Sequence, residues 1–313
     1  MLVYAIRRTL QMVPVLFGVT IVISSIVYFA PGNPARLALG DGASPEAVAQ
    51  LEREMGLDQP AHIRYVDWML GVMQGDLGTS IQTGRPVAVM ILDRLGPTLE
   101  LAIVAMALTL IIALPLGVIS AVRQYSWVDN TSMLFAIFWL SMPSFWLGLV
   151  LIYLFAVRWQ FFPVSGRGGI MLTLTWWSFI LLPAIATGTR RAGLLTRLMR
   201  SSMLEILNED YIRTARGKGI GSKAVIYTHG MKNAMIPVIT LIGLQVPLIF
   251  SGTVIIEVVF SWPGMGRLLV DAVLQRDYPV VQGTILVYSV IVLIANLAVD
   301  IAYSYLDPRI DYD

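Results

Sequence analysis

Six runs of this chain contain no Lys, Arg, Asp or Glu: 9–35, 101–122, 130–157, 168–189, 233–256 and 278–299, each at least 22 residues long. At about 1.5 Å of rise per residue, about 20 apolar residues carry a helix across a ~30 Å hydrocarbon layer. Every run is long enough, and no seventh exists. A water-soluble domain carries about 25% charged residues; here the figure is 13%. These runs predict an all-α polytopic membrane protein with six transmembrane helices and both termini on the same side. The first run is too long for the apolar core of a secretory signal. Tyr28-Phe29-Ala30-Pro31 is also a poor cleavage site, with a bulky residue at the −3 position and proline following. It is expected to be kept as span 1.

Orientation follows from where the cations fall. Arg7, Arg8, Arg123, Arg309 and nine Lys/Arg between Arg190 and Lys232 lie on one side, 13 in all, against 9 on the other. The positive-inside rule puts the richer side, and both termini, in the cytoplasm. Residues 31–96 then form an extracytoplasmic helical segment between spans 1 and 2. Pro31-Gly32-Asn33-Pro34 cannot continue span 1. Ser44-Pro45-Glu46 reads as N-cap, first-turn proline and first-turn acid of a short helix that Gly56 ends. Ile63, Val66, Leu70 and Met73 recur at helical spacing and define the apolar face of a second one. Pro115 and Pro143 fall inside spans 2 and 3, where a kink or a hinge is expected. Trp176 and Trp177 are expected in the outer interfacial belt. Arg190 and Arg191 lie deep in span 4 or near its inner edge, depending on where that span starts. They are candidates for lining a translocation path, or for snorkelling or structural pairing.

Several kinds of chemistry are excluded. With a net charge of +2, nucleic-acid binding has no support. There is no Cys, and the two His, His62 and His229, are far apart in sequence, so no metal site is expected. Gly217-Lys218-Gly219-Ile220-Gly221-Ser222-Lys223 invites a nucleotide-binding reading. It fails, because Ile212 stands where the first P-loop glycine is required and Gly219 follows the lysine. No catalytic constellation is present, so the chain is not expected to be an enzyme.

What remains is the polar interval 201–232, basic and set between strongly apolar runs. Asp210 and Tyr211 open a short helical stretch, Gly219 and Gly221 permit a tight reversal, and Ala224–Tyr227 begins a second stretch. A short helix ending in small residues suits docking into a cleft of a partner. Without a series of intramembrane ionisable groups, proton coupling is poorly supported. An ion-coupled secondary transporter is therefore the alternative, and a membrane scaffold or enzyme a third reading.

Residues 205–240 resemble the cytoplasmic coupling loop of binding-protein-dependent ABC import permeases. The whole chain is similar to the dipeptide/oligopeptide/nickel (DppB/OppB-type) permease family. The similarity rests on Gly56-Leu57-Asp58-Gln59-Pro60, Gly75-Asp76-Leu77-Gly78-Thr79-Ser80, Asp210-Tyr211-Ile212-Arg213-Thr214-Ala215-Arg216, Trp262-Pro263-Gly264-Met265-Gly266-Arg267, Arg276-Asp277-Tyr278-Pro279 and Asp307-Pro308-Arg309, taken in order. Arg213, Thr214, Ala215 and Gly219 occupy the Glu-Ala-Ala…Gly positions of the general loop motif, with the first two replaced. The resemblance implies a single permease domain over residues 1–313 in the inner (plasma) membrane of a prokaryote. It assigns ATPase coupling to Asp210, Tyr211, Arg213, Thr214, Ala215, Arg216 and Gly219. Implied partners are a second homologous permease subunit forming a heterodimer, two ATP-binding subunits or domains, an extracytoplasmic substrate-binding protein and the lipid bilayer. ATP and Mg²⁺ would be bound by the partners and no cofactor by this chain. The cargo would be a peptide or similar small solute.

Overall fold

A computed structural model describes residues 2–29, 34–40, 42–54 and 56–306. Pro31-Gly32-Asn33, the Ala30-Pro31 end of the poor cleavage site and Asp307-Pro308-Arg309 lie outside the described residues. Among those described there are helices and no strands, with one isolated antiparallel bridge between Thr79 and Pro86. The elements are α1 (Leu2–Phe29), α2 (Pro34–Leu39), α3 (Pro45–Glu54), α4 (Ala61–Met73), α5 (Val87–Val122), α6 (Trp127–Ser141) and α7 (Ser144–Leu151, continued as π-helical turns to Arg158). After these come α8 (Leu174–Leu207), α9 (Asp210–Gly217), α10 (Ser222–Ala224, continued as π-helical turns to Met231), α11 (Lys232–Val259), α12 (Met265–Leu274) and α13 (Tyr278–Leu306).

Among the described residues four helical stretches are long and apolar enough to cross a membrane: 7–26, 87–122, 222–259 and 278–301. A fifth is added if α6 and α7 count as one span. The fourth charge-free run became α8, whose arginines, Arg190, Arg191, Arg197 and Arg200, make it less apolar than the others. Two expectations are adjusted. Helix α5 starts at Val87, so residues 87–96 continue the following span and are not a separate outer segment. The third run is no single kinked helix. It bends by 103° between Ser141 and Ser144, where Pro143 adopts an extended conformation and starts α7. Proline cannot donate the helical hydrogen bond and crowds the preceding turn. Helix α5, by contrast, runs through Pro115 without a break.

The chain divides into two compact units, residues 1–98 with 263–297, and residues 99–262 with 298–313. In the first, the Ser44 hydroxyl accepts from the Ala47 amide at 3.2 Å and caps α3, and Gly56 follows that helix at φ +64°. Helix α4 meets α1 through Tyr65, whose hydroxyl lies 2.9 Å from that of Thr20 and whose ring meets Phe17 edge-on. The predicted apolar face of α4, Ile63, Val66, Leu70 and Met73, is exposed. Val87, Ile91, Met265 and Val280 form the core of this unit. Beside it the buried Asp277 carboxylate accepts from the Ser80 hydroxyl and the Ile81 amide, joining two turns almost two hundred residues apart.

The second unit is built around α8. One core gathers Leu101, Leu147, Ile180 and Ile256; another gathers Val118, Leu195, Met199 and Val238. Glycines set the distances between helices. A Cβ on Gly188 would lie 2.7 Å from the Ala105 carbonyl oxygen, and one on Gly193 2.5 Å from that of Ala136. Thr109 donates between the Ala105 and Gly188 carbonyls at 2.8 and 3.0 Å. In lipid the hydrophobic effect does not drive helices together. Close backbone approach does, helped by interhelical hydrogen bonds worth about 0.6 kcal/mol each.

Candidate functional site

The basic loop is ordered by its two ends. Helix α8 stops at Leu207, two residues turn the chain, and α9 begins at Asp210. One face of α9 is apolar. Ile212 and Ala215 are buried against Val225, with Ile206 and Ile220 around them. The opposite face presents Asp210, Tyr211, Arg213, Thr214 and Arg216 to the outside.

The end of α9 explains Gly219. Its φ of +78° is a left-handed conformation that favours glycine. Its amide donates to the Arg216 carbonyl at 3.0 Å, and the Ile220 amide to that of Ala215 at 3.3 Å. This paired bonding is a Schellman stop, with Ile220 resting in the same cluster as Ala215. Tyr211 is tethered on the other side, because Asn233 in the first turn of α11 donates to its hydroxyl at 2.9 Å. The Arg213–Asp210 contact is 3.4 Å with both side chains mostly in solvent, so it adds little.

Sequence reasoning treated Ala215 as part of the docking surface. It lies on the inner face and fastens α9 down. The other predicted loop residues are brought together on the outer face, apart from Gly219, which forms the stop.

Two groups missed in the sequence hold the frame. At the loop end of α8, Arg200 grips Asp129 with both arms of its guanidinium, Nε at 2.6 Å and Nη2 at 2.7 Å. Asp129, only 2% exposed, also accepts from the Ser120 hydroxyl and from the Tyr125 amide at 3.0 Å. At the other end of α8, Glu100 accepts two bonds from Arg167, at 2.9 and 2.7 Å, and one from Trp176 Nε1 at 3.1 Å. Hydrogen bonding to Glu100 raises the Arg167 guanidinium above its ordinary pKa, against an opposing effect of partial burial. Trp176 is therefore a buried, partnered side chain and not part of a lipid-facing belt, whereas Trp177 stays partly exposed. The available signal was a lone acid at each edge of a charge-free run, Glu100 before 101–122 and Asp129 before 130–157.

Arg190 and Arg191 point apart. Helix α8 starts at Leu174. Arg191 therefore lies about 25 Å along it, at about 1.5 Å per residue. It donates to the Thr187 carbonyl of its own helix and to Leu248 on α11, each at 2.8 Å. Gly252 makes room, since a Cβ there would be 2.7 Å from the guanidinium. Arg190 is exposed. Among the described residues no three His, Asp or Glu side chains gather where they could hold a metal ion.

Apolar spans organised around one helix that leads straight into an anchored, outward-facing polar helix define a multi-span membrane protein with one polar helix left bare on its outer face. Comparison with known proteins identifies the family. Residues 113–312 match "Binding-protein-dependent transport system inner membrane component", and residues 1–102 match the N-terminal model of such membrane components. The chain is 44% identical over 333 residues to the dipeptide transport system permease protein DppB of Alkalihalophilus pseudofirmus, covering 100% of both. It is 41% identical over 316 residues to the oligopeptide transport system permease protein AppB of Bacillus subtilis, again covering 100% of both. Against the glutathione transport system permease protein GsiC of Salmonella choleraesuis the identity is 39% over 312 residues, with the same full coverage. Among solved structures, an inward-facing MetNI methionine ABC transporter shares the fold with a TM-score of 0.58 at 14% identity, over 70% of this chain and 96% of that one. The chain belongs to the binding-protein-dependent transport system inner membrane component family, as a DppB/OppB-type permease subunit of an ABC importer.

Proposed function

We propose that this permease forms one half of a translocation path for short peptides, and that α9 is where ATP-driven motion enters it. The observation that carries the reading is the two-sided build of α9. Ile212 and Ala215 bind it to the rest of its unit, while Asp210, Tyr211, Arg213, Thr214 and Arg216 face outward. A helix held on one side and bare on the other passes a push on to whatever it is anchored to, here the π-helical turns at Val225 that lead into α11, with the end of α8 at Ile206 beside them. The peptide cargo is supported by relatives whose names specify dipeptide, oligopeptide and glutathione transport.

In this reading the chain is one permease domain with six spans, α8 and the bent α6–α7 pair included. Both termini and α9 are cytoplasmic, and residues 31–86 lie outside. A second homologous permease completes the path, two ATP-binding subunits hold ATP and Mg²⁺, and an extracytoplasmic binding protein delivers the cargo. Nucleotide in the partners biases two packings of the spans through α9. Arg191 has a structural role, tying α8 to the Leu248 carbonyl, which leaves Arg190 as the arginine that could face a solute.

The test is uptake of a labelled dipeptide into vesicles holding the reconstituted transporter, with ATP supplied on the side of the ATPases. Glu or Ala at Arg213 and Arg216 together should cut uptake at least tenfold while all subunits still insert. Undiminished uptake would remove α9 as the entry point.

A further inference from the structure

Within the first unit an open cavity of about 760 Å³ lies between the last turns of α1, helices α3 and α4, and the start of α13. Its polar lining combines basic side chains with amides and hydroxyls, Gln59 and Gln282 among them, that can donate or accept. Arg53, His62 and Arg64 contribute to it, and Asp67 is the one carboxylate among the described lining residues. Two further donors in the lining, Ser24 Oγ and Trp68 Nε1, are buried without a hydrogen-bond partner. A buried donor left unpaired costs about 1–3 kcal/mol. Two in one cavity, beside three basic side chains, mark a place completed by an acceptor-rich ligand.

The position of the cavity along α1 narrows the chemistry. Counted from Arg8, Ser24 lies about 24 Å and Phe29 about 31 Å along the helix at about 1.5 Å per residue. The cavity therefore runs from inside a ~30 Å apolar layer to its polar edge. Part of its wall on α1 is apolar and open outward, with Ile21 43% and Phe29 79% exposed. The unpartnered apolar face of α4, Ile63, Val66 and Leu70, belongs to the same unit. Donors beside apolar, outward-open walls fit a molecule with an oxyanion at one end and hydrocarbon at the other.

We propose that this cavity seats an anionic phospholipid, its phosphodiester held by Arg53, His62 and Arg64 and its ester oxygens reached by Trp68 Nε1 and Ser24 Oγ. Charge-assisted bonds to the guanidinium groups supply the selectivity for anionic lipid. The acyl chains lie along α1. The site does not depend on the role assigned to α9.

The assembled transporter is exchanged into detergent micelles doped with dioleoylphosphatidylglycerol or dioleoylphosphatidylcholine, and retained lipid is counted by native mass spectrometry. One phosphatidylglycerol per copy of this chain should survive detergent that strips phosphatidylcholine. R53Q/R64Q together should lower retention at least tenfold. Trp68→Phe, which deletes one N–H and keeps the ring, should lower it several-fold and carries the test if the double variant does not assemble. A photo-crosslinking residue in place of Leu57 should give a lipid adduct. Equal retention of the two lipids, unchanged retention in Trp68→Phe, displacement of the lipid by millimolar dipeptide, or a crosslink to a neighbouring protein chain would each overturn the assignment.

Discussion

The two ends of α8 are fastened by the same chemistry under different conditions. Near its start, Glu100 holds Arg167 and Trp176. Near its finish, about 36 Å further along at about 1.5 Å per residue, Asp129 holds Arg200. Both pairs are bidentate. The Glu100 pair is partly in solvent, with side chains 15% and 30% exposed, and its arginine sits in a connecting loop. Asp129 is 2% exposed, and its four donors come from Arg200, Ser120 and the backbone of a tight turn. A partly exposed pair can exchange its partners for water, and such pairs contribute about 0.2–1 kcal/mol. Arg200 is 22% exposed, but the Asp129 carboxylate cannot turn to water, and leaving a buried charge without its partner costs about 3–5 kcal/mol. The first end is thus a clasp for a loop. The second makes the foot of α8 and the 123–126 turn move as one piece, next to the loop proposed to receive the push.

The largest effect should come from uncoupling that foot from α9. Gly219→Pro cannot adopt the left-handed φ of +78° found there, and it removes an amide that caps the helix. Ala215→Arg forces a charge into the buried face of α9. Either change should reduce ATP-driven uptake to background, with the chain still inserted as judged by protease protection of its loops. Next comes Asp129→Ala, which should lower the stability of the purified transporter by about 3 kcal/mol, read as a fall in thermal midpoint, and lower uptake more than tenfold. Gly193→Ala should cost about 2 kcal/mol by overpacking, because its new methyl would meet a backbone oxygen that no rotamer change can move. The smallest effect is expected for Glu100→Gln. It keeps an acceptor for Trp176 and should cost about 1 kcal/mol, with uptake within a few-fold of wild type. If Glu100→Gln matched Asp129→Ala in the same melting assay, the contrast between clasp and foot would be wrong.

Much of the framework was legible because it is written in composition. Charge-free runs mark where helices pass through an apolar layer, whatever they pack against. Gly56 and Gly219 were legible as stops because their backbone conformations are ones other residues rarely adopt. Pairing over long separations was not legible. Nothing near Asp129 names Arg200 as its partner, and nothing near Glu100 names Arg167. Trp176 was misread because tryptophan near a span end serves equally as a lipid anchor or as a buried donor, and only its neighbours decide. The stripe on α4 was read correctly as a face, but helical spacing cannot say whether a face meets protein. Ala215 shows the same limit in the loop, since a small residue on a short helix can be the contact or the anchor.

The glycines under α8 have a further consequence. Where Gly188 and Gly193 let backbone touch backbone, there are no side-chain torsions between the helices to absorb a displacement. A joint made of long side chains behaves like a cushion; one made of bare peptide groups behaves like a gear tooth. A rotation begun at the foot of α8 would reach α5 and α6 with little lost on the way.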